Sequence, residues 1–125
     1  MPIDRIIRIA LVDDSLPLRK LIGTYLSRQG FEIVCEADNG EQLFEQLDHL
    51  SEVPEVCLLD SNMPKLSGCE TAGRLRESYP SIRIMAYSFF DENDRPDKMM
   101  ACGAHGFISK DAGPEEVRDA LRALI

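Results

Sequence analysis

The sequence predicts an α/β fold: a doubly wound parallel sheet of five strands with five helices. Three observations predict it. Five short apolar runs alternate with five stretches of helical period along the chain. That alternation implies parallel strands joined by right-handed crossovers, with helices covering both faces of the sheet. Finally, Asp13, Asp60, Ser88 and Lys110 each fall just after an apolar run. Ligands in such sheets bind beyond the carboxyl ends of the strands, where strand order reverses.

Each element has a local reason. Strand one is expected over about Ile6 to Val12, strand two over Phe31 to Ala37, and strand three over Val56 to Leu59. Strand four is expected over about Ile82 to Tyr87 and strand five over Gly106 to Ile108. Leu18, Leu21, Ile22, Tyr25 and Leu26 mark one face of the first helix, with Ser15 as cap, Pro17 in the first turn and Gly30 beyond the end. Leu43, Leu47 and Leu50 mark the second. Ala72, Leu75 and Tyr79 mark the third, which Pro80 stops. Val117, Ala120, Leu121 and Leu124 mark the last, with Pro114 and Glu115-Glu116 suiting its first turn. Pro96 would break a fourth helix begun at Asp91. That helix is therefore expected to start late, near Arg95 or Pro96, and to be short.

Composition excludes several functions. A chain of 125 residues suits one domain with one core. The formal net charge of −8 repels a phosphate backbone, so direct nucleic-acid binding is not expected. No apolar run exceeds four residues, which argues against a membrane span or a signal-peptide core. The four cysteines, Cys35, Cys57, Cys69 and Cys102, lack Cys-x-x-Cys spacing. They are expected to be small buried hydrophobes in a reducing cytoplasm. His49 and His105 lie away from the strand ends and are expected to be solvated.

The strand ends carry the chemistry. Asp60 closes Val56-Cys57-Leu58-Leu59 and Asp13-Asp14 close Ile9-Ala10-Leu11-Val12. In a parallel sheet these carboxylates open onto one edge. Two unit charges ~5 Å apart at an effective dielectric of ~20 repel by roughly 3 kcal/mol. Such a cluster raises its pKa values or binds a cation. Magnesium, or manganese, fits an oxygen-rich set that the Asn62 carbonyl completes. Zinc is disfavoured, since no histidine or cysteine is nearby. Met63, Pro64 and Gly68 shape the loop after Asp60. Ser88 as a hydroxyl donor and Lys110 as a compact cation would receive a phosphoryl group opposite the carboxylates.

Leu59-Asp60-Ser61-Asn62-Met63-Pro64 with Gly68, together with Asp13-Asp14, Ser88 and Lys110, resembles the receiver domain of bacterial two-component response regulators. The match runs over essentially the whole chain. Ser88-Phe89-Phe90-Asp91-Glu92 and Gly103-Ala104-His105-Gly106-Phe107 are similar to receivers that carry a helix-turn-helix output domain, the LuxR/NarL type. The resemblance implies a flavodoxin-like (CheY-like) sheet of order 2-1-3-4-5 and a single receiver domain over 1–125, with no output domain visible. It implies a phospho-acceptor at Asp60 and magnesium on Asp13, Asp14, Asp60 and the Asn62 carbonyl. It implies phosphoryl contacts from Lys110 and Ser88, and an aromatic switch at Phe107. The implied partners are a sensor histidine kinase and a second copy, met through the first, fourth or fifth helix. The implied activity is cytoplasmic signalling with control of transcription, not turnover of a substrate. Phe89 stands where many receivers have a small residue, and is expected to narrow access to Asp60. Phe107 replaces a frequent tyrosine.

Three other readings have sequence features against them. A haloacid-dehalogenase-type phosphatase needs a second acid two residues after its nucleophile, and Asn62 cannot serve. A flavin binder needs a phosphate-cradling loop where Asp13-Asp14 stands. A receiver fold acting only by protein contact has no need of Asp60, Ser88 and Lys110 together, while Phe89 leaves that reading open.

Overall fold

The computed structural model describes residues 5–63, 66–90 and 95–125. Five strands, β1 (Ile7–Val12), β2 (Phe31–Ala37), β3 (Val56–Asp60), β4 (Arg83–Ser88) and β5 (Gly106–Ser109), pair in parallel in the order β2-β1-β3-β4-β5. The helices between and after them are α1 (Leu16–Ser27), α2 (Gly40–Leu47), α3 (Gly68–Ser78), α4 (Pro96–Cys102) and α5 (Pro114–Leu124). This is the doubly wound arrangement read from the alternation of runs.

Successive strand residues point to opposite faces, so β1 to β4 each feed two cores. Ala10, Val12, Cys57, Leu59, Ile84 and Ala86 face α2, α3 and α4 through Leu43, Leu47, Leu75 and Met99. Ile9, Leu11, Val56, Leu58, Met85 and Tyr87 face α1 and α5 through Ile22, Leu26, Val117 and Leu121. Each fully buried Leu or Ile contributes about 1.5–3 kcal/mol. Burial on both sides is why these strands read as continuous apolar runs rather than as alternating ones.

The helix boundaries follow their caps. Ser15 Oγ accepts from the Leu18 amide, and Asn39 Oδ1 accepts from the Gln42 amide. Ser67 and Glu70 form a reciprocal capping box at α3. α4 begins at Pro96, with Arg95 before it making no side-chain cap, and it spans 7 residues. The late start and short length match the expectation from Pro96. Gly103 ends α4 at φ +124, a backbone state that L side chains rarely adopt, and a Cβ there would lie 2.8 Å from Arg76 Cγ.

Three readings are corrected. Leu21 does not belong to the packed face of α1: it is 67% exposed, and Arg19 is buried in the turn instead. The cysteines are of two kinds. Cys35 and Cys57 are buried thiols, but Cys69 and Cys102 form a disulfide between α3 and α4. Their pairing depends on tertiary proximity, which spacing along the chain cannot reveal. His105 is half-buried, not solvated: its Nδ1 accepts from the Ile84 amide (3.0 Å) and its own amide donates to the Ile84 carbonyl (2.8 Å). Burial, then Arg76 and Arg83, hold its pKa below the ordinary histidine value. His49 is exposed as expected. Pro64, Asp91 and Glu92 lie outside the described residues.

The disulfide joins residues 33 apart in sequence. Closing a loop of that size stabilises a fold by about 2–4 kcal/mol, chiefly by constraining the unfolded chain. Reduction with dithiothreitol should lower the melting temperature by roughly 5–15 °C. Differential scanning calorimetry with and without reductant checks this; an unchanged transition would contradict the tether.

Candidate functional site

Strand register alone gathers the site. Val12 pairs with Leu59, so Asp13 and Asp60 come one residue later on adjacent strands. Asp60 pairs with Tyr87, and Ser88 pairs with Ser109. Asp13, Asp60, Ser88 and Lys110 therefore end neighbouring strands at one edge. β1 and β3 flank the point where strand order reverses.

Lys110 occupies the centre. Its Nζ lies 2.9 Å from Asp13 Oδ2 and 3.4 Å from Asp60 Oδ2, with its side chain almost wholly buried. The Lys110 amide donates to the Ser88 carbonyl (2.9 Å), which fixes the chain at the head of the site. Carboxylate oxygens of Asp13, Asp14 and Asp60 all lie within 4.8 Å of one another. Asp60 is 2% exposed; its Oδ1 accepts from the Asn62 amide (3.0 Å). Asp13 Oδ1 accepts from the Ser15 amide (2.9 Å). Asp13 Oδ2 is buried and faces the Lys110 ammonium. An all-oxygen cluster of three carboxylates facing a single ammonium suits a hard cation.

Burial pushes the Asp60 carboxyl up to about 7. The neighbouring Asp13 charge and a hydrogen bond shared with Asp14 add to the rise, while the Asn62 amide and the Lys110 charge oppose it. A carboxyl raised this far by its surroundings, at a strand end, is a candidate reactive group.

The loop after Asp60 is pressed close to α3. A Cβ on Gly68 would lie 2.5 Å from Ser61 Cα and 2.7 Å from the Asp60 carbonyl oxygen, so only glycine fits. Met63 is buried in the core below. Asn62 itself is exposed. Ser88 is buried at the end of β4. Phe107 is 50% exposed and packs edge-on against Phe90, with ring centroids 5.7 Å apart. Phe89 is 59% exposed beside Ser88 in sequence.

Sequence reading missed Arg19. Its guanidinium donates to the Asp13 carbonyl (2.5 Å), pairs with Asp38 (2.8 Å) and with Glu36 (3.1 Å), and is buried under the β1 and β2 ends. It fixes the backbone that aims Asp13. The signal was present: residues 19, 22 and 26 share one helical face, and a charge there needs partners.

Comparison with known proteins agrees with this geometry. The family model of the response regulator receiver domain matches residues 9–122. NarL, the nitrate/nitrite response regulator protein of Escherichia coli K12, is 37% identical over 114 residues, covering 90% of this chain and 52% of that protein. Response regulator GacA of Pseudomonas viridiflava is 33% identical over 119 residues, covering 94% of this chain and 55% of that protein. The chain thus spans about half the length of the curated relatives it matches. The solved signal receiver domain of NarL from Mycobacterium tuberculosis superimposes with a TM-score of 0.85 at 28% identity, covering 95% of both chains. Receiver domains bind magnesium at an acidic pocket and interact with histidine kinases and phosphotransfer partners. With the strand order, the acidic edge and the match over most of its length in agreement, the chain belongs to the response regulator receiver domain family, a family of signalling domains.

Proposed function

We propose that Asp60 accepts a phosphoryl group from a sensor histidine kinase and that the domain then switches an output. The gathering of Asp13, Asp14, Asp60 and Lys110 at one strand edge carries this reading. A carboxylate oxygen of Asp60 attacks the phosphorus in line. The P–N bond of the phosphohistidine breaks, and its electron pair leaves with the imidazole. Lys110 faces the transferring group as a fixed cation. Asp13, Asp14, Asp60 and the Asn62 carbonyl would hold magnesium or manganese. When bound, that ion offsets the charge gathering on the phosphoryl oxygens.

The product adds about two negative charges and strong acceptor oxygens. Ser88 donates its hydroxyl to them, and the ring of Phe107 moves inward behind it. The change is a shift between two packings of the face bearing α4, β5 and α5. The chain is a signalling module that promotes only its own phosphorylation and dephosphorylation, so no sustained turnover is expected. It is a single receiver domain over 1–125, in a cytoplasmic protein. A helix-turn-helix domain elsewhere in a longer protein would pass the signal to transcription, as the regulatory names of its relatives suggest. Among the described residues no helix is long and apolar enough to cross a membrane. Exposed Leu16 and Leu21 on α1 and Met100 on α4 support self-association through those helices. The net charge of −8 supports the absence of direct nucleic-acid contact.

Three outcomes test this reading. With magnesium and a cognate kinase or acetyl phosphate, intact-mass spectrometry should record one added phosphoryl group, and Asp60→Asn should record none. Equal labelling of the variant would remove Asp60 as acceptor. Phe89→Ala should speed labelling by acetyl phosphate by roughly tenfold, about 1.4 kcal/mol of barrier, while labelling by the kinase changes less; unchanged rates would mean that Phe89 does not narrow access. The raised Asp60 pKa also sets a pH dependence. In metal-free protein the stabilisation from its proton is full below pH ~4 and is lost as pH rises through about 7. Magnesium, binding the ionised form, should therefore raise the melting temperature more at pH 8 than at pH 6. Asp60→Asn should be more stable than the wild type in EDTA at pH 8. A magnesium effect independent of pH would contradict the assignment.

A further inference from the structure

Cys69 is exposed and Cys102 half-buried, and their Cα atoms are 5.2 Å apart. Their disulfide therefore lies where a soluble thiol or disulfide can reach it. Its placement matters more. Cys69 follows Gly68, the residue pressed against the Asp60–Ser61 backbone. Cys102 is the last residue of α4, the shortest helix and the one with the fewest buried residues among those described. Among its described residues α4 buries only Met99, has no side-chain cap, and spans 7 residues. The ring closed by the disulfide contains β4 and Ser88. One covalent bond thus joins the shortest helix to the first turn of α3, beside the loop that follows Asp60.

We propose that Cys69 and Cys102 are a reversible thiol-oxidation site whose disulfide holds α4 in the arrangement described here, with Phe107 exposed, and so opposes switching; this rests on the receiver reading. The oxidant is a donor disulfide, a small molecule or a protein. The thiolate of Cys69 attacks one donor sulfur, breaking its S–S bond and releasing one thiol. The thiolate of Cys102 then attacks Cys69 Sγ in the mixed disulfide, and the second donor thiol leaves. Two cysteine thiols are oxidised, two donor sulfurs are reduced, and the two cysteine protons pass through solvent to the departing thiolates. Reduction by a dithiol runs the same exchange backwards. Cys35 and Cys57 take no part: both are buried, and burial keeps each thiol protonated, Cys35 up to about 11 and Cys57 strongly raised.

The experiment uses the full chain with oxidised glutathione as donor and dithiothreitol as reductant. Alkylation under denaturing conditions, read by intact mass and peptide mapping, should count four thiols in the reduced chain and two in the oxidised one, the missing pair being Cys69 and Cys102. Amide hydrogen exchange over 96–102 should be about tenfold slower in the oxidised form. Loading with beryllofluoride and magnesium, a phosphoryl mimic, should alter that exchange in the reduced form and leave it nearly unchanged in the oxidised form. Cys69→Ser and Cys102→Ser should each behave as reduced wild type under both conditions; if either fails to fold, reduced wild type supplies the comparison. Four free thiols after glutathione, or a disulfide that leaves α4 exchange and its response unaltered, would overturn the proposal. If neither redox form responds to the mimic or takes up a phosphoryl group on Asp60, the receiver reading fails instead. The effect of the disulfide on α4 exchange alone then decides whether the tether exists.

Discussion

The ammonium of Lys110 stands between two buried carboxylates, and the architecture of the site depends on that contact. Parallel register brings Asp13 and Asp60 side by side whatever their charges prefer. Burial strengthens their repulsion, because the interior screens it poorly. One cation at 2.9 and 3.4 Å offsets part of it. The remaining excess of negative charge gives the edge its affinity for a hard dication, and with burial, the larger cause, it raises the Asp60 pKa. Arg19 works from behind the same strands, holding the Asp13 carbonyl and pairing with Glu36 and Asp38. The acidic edge is therefore framed by one buried cation inside it and another beneath it.

Rigidity and looseness are distributed unevenly around this centre. The strands that present Asp13 and Asp60 are buried on both faces, and α3 is capped and packed against the Asp60–Ser61 backbone through Gly68. On the far side, α4 is short and weakly anchored, and Phe107 lies half in solvent against Phe90. Such a division suits a domain whose chemistry must be positioned while its message is carried by an element with two packings. The disulfide crosses the boundary between the two regions.

Much of this was legible in the residues. The doubly buried strands announce themselves as unbroken apolar runs, and Pro96 placed the start of α4. The gathering of Asp13, Asp14, Asp60 and Lys110 was legible for the same reason: each lies at or just after the end of a run, so finding the strands finds the edge. What escaped the sequence was decided by tertiary contact. Leu21 looked like a core residue and Arg19 went unremarked, because hydrophobicity cannot foresee a guanidinium satisfied by two carboxylates and two carbonyls. Cys69 and Cys102 looked inert because their partnership spans 33 residues and an intervening strand. His105 looked solvated because its partner is the backbone of β4.

Whether proximity of carboxylates governs this pocket is most directly measured at Asp60 itself. NMR of its side-chain carboxyl carbon from pH 3 to 9, in the absence of divalent metal, should show titration near 7, well above the ordinary value of 3.8. Saturating magnesium should move that titration to lower pH. A carboxyl that titrates in the ordinary range without metal, and does not respond when magnesium is added, would contradict the account.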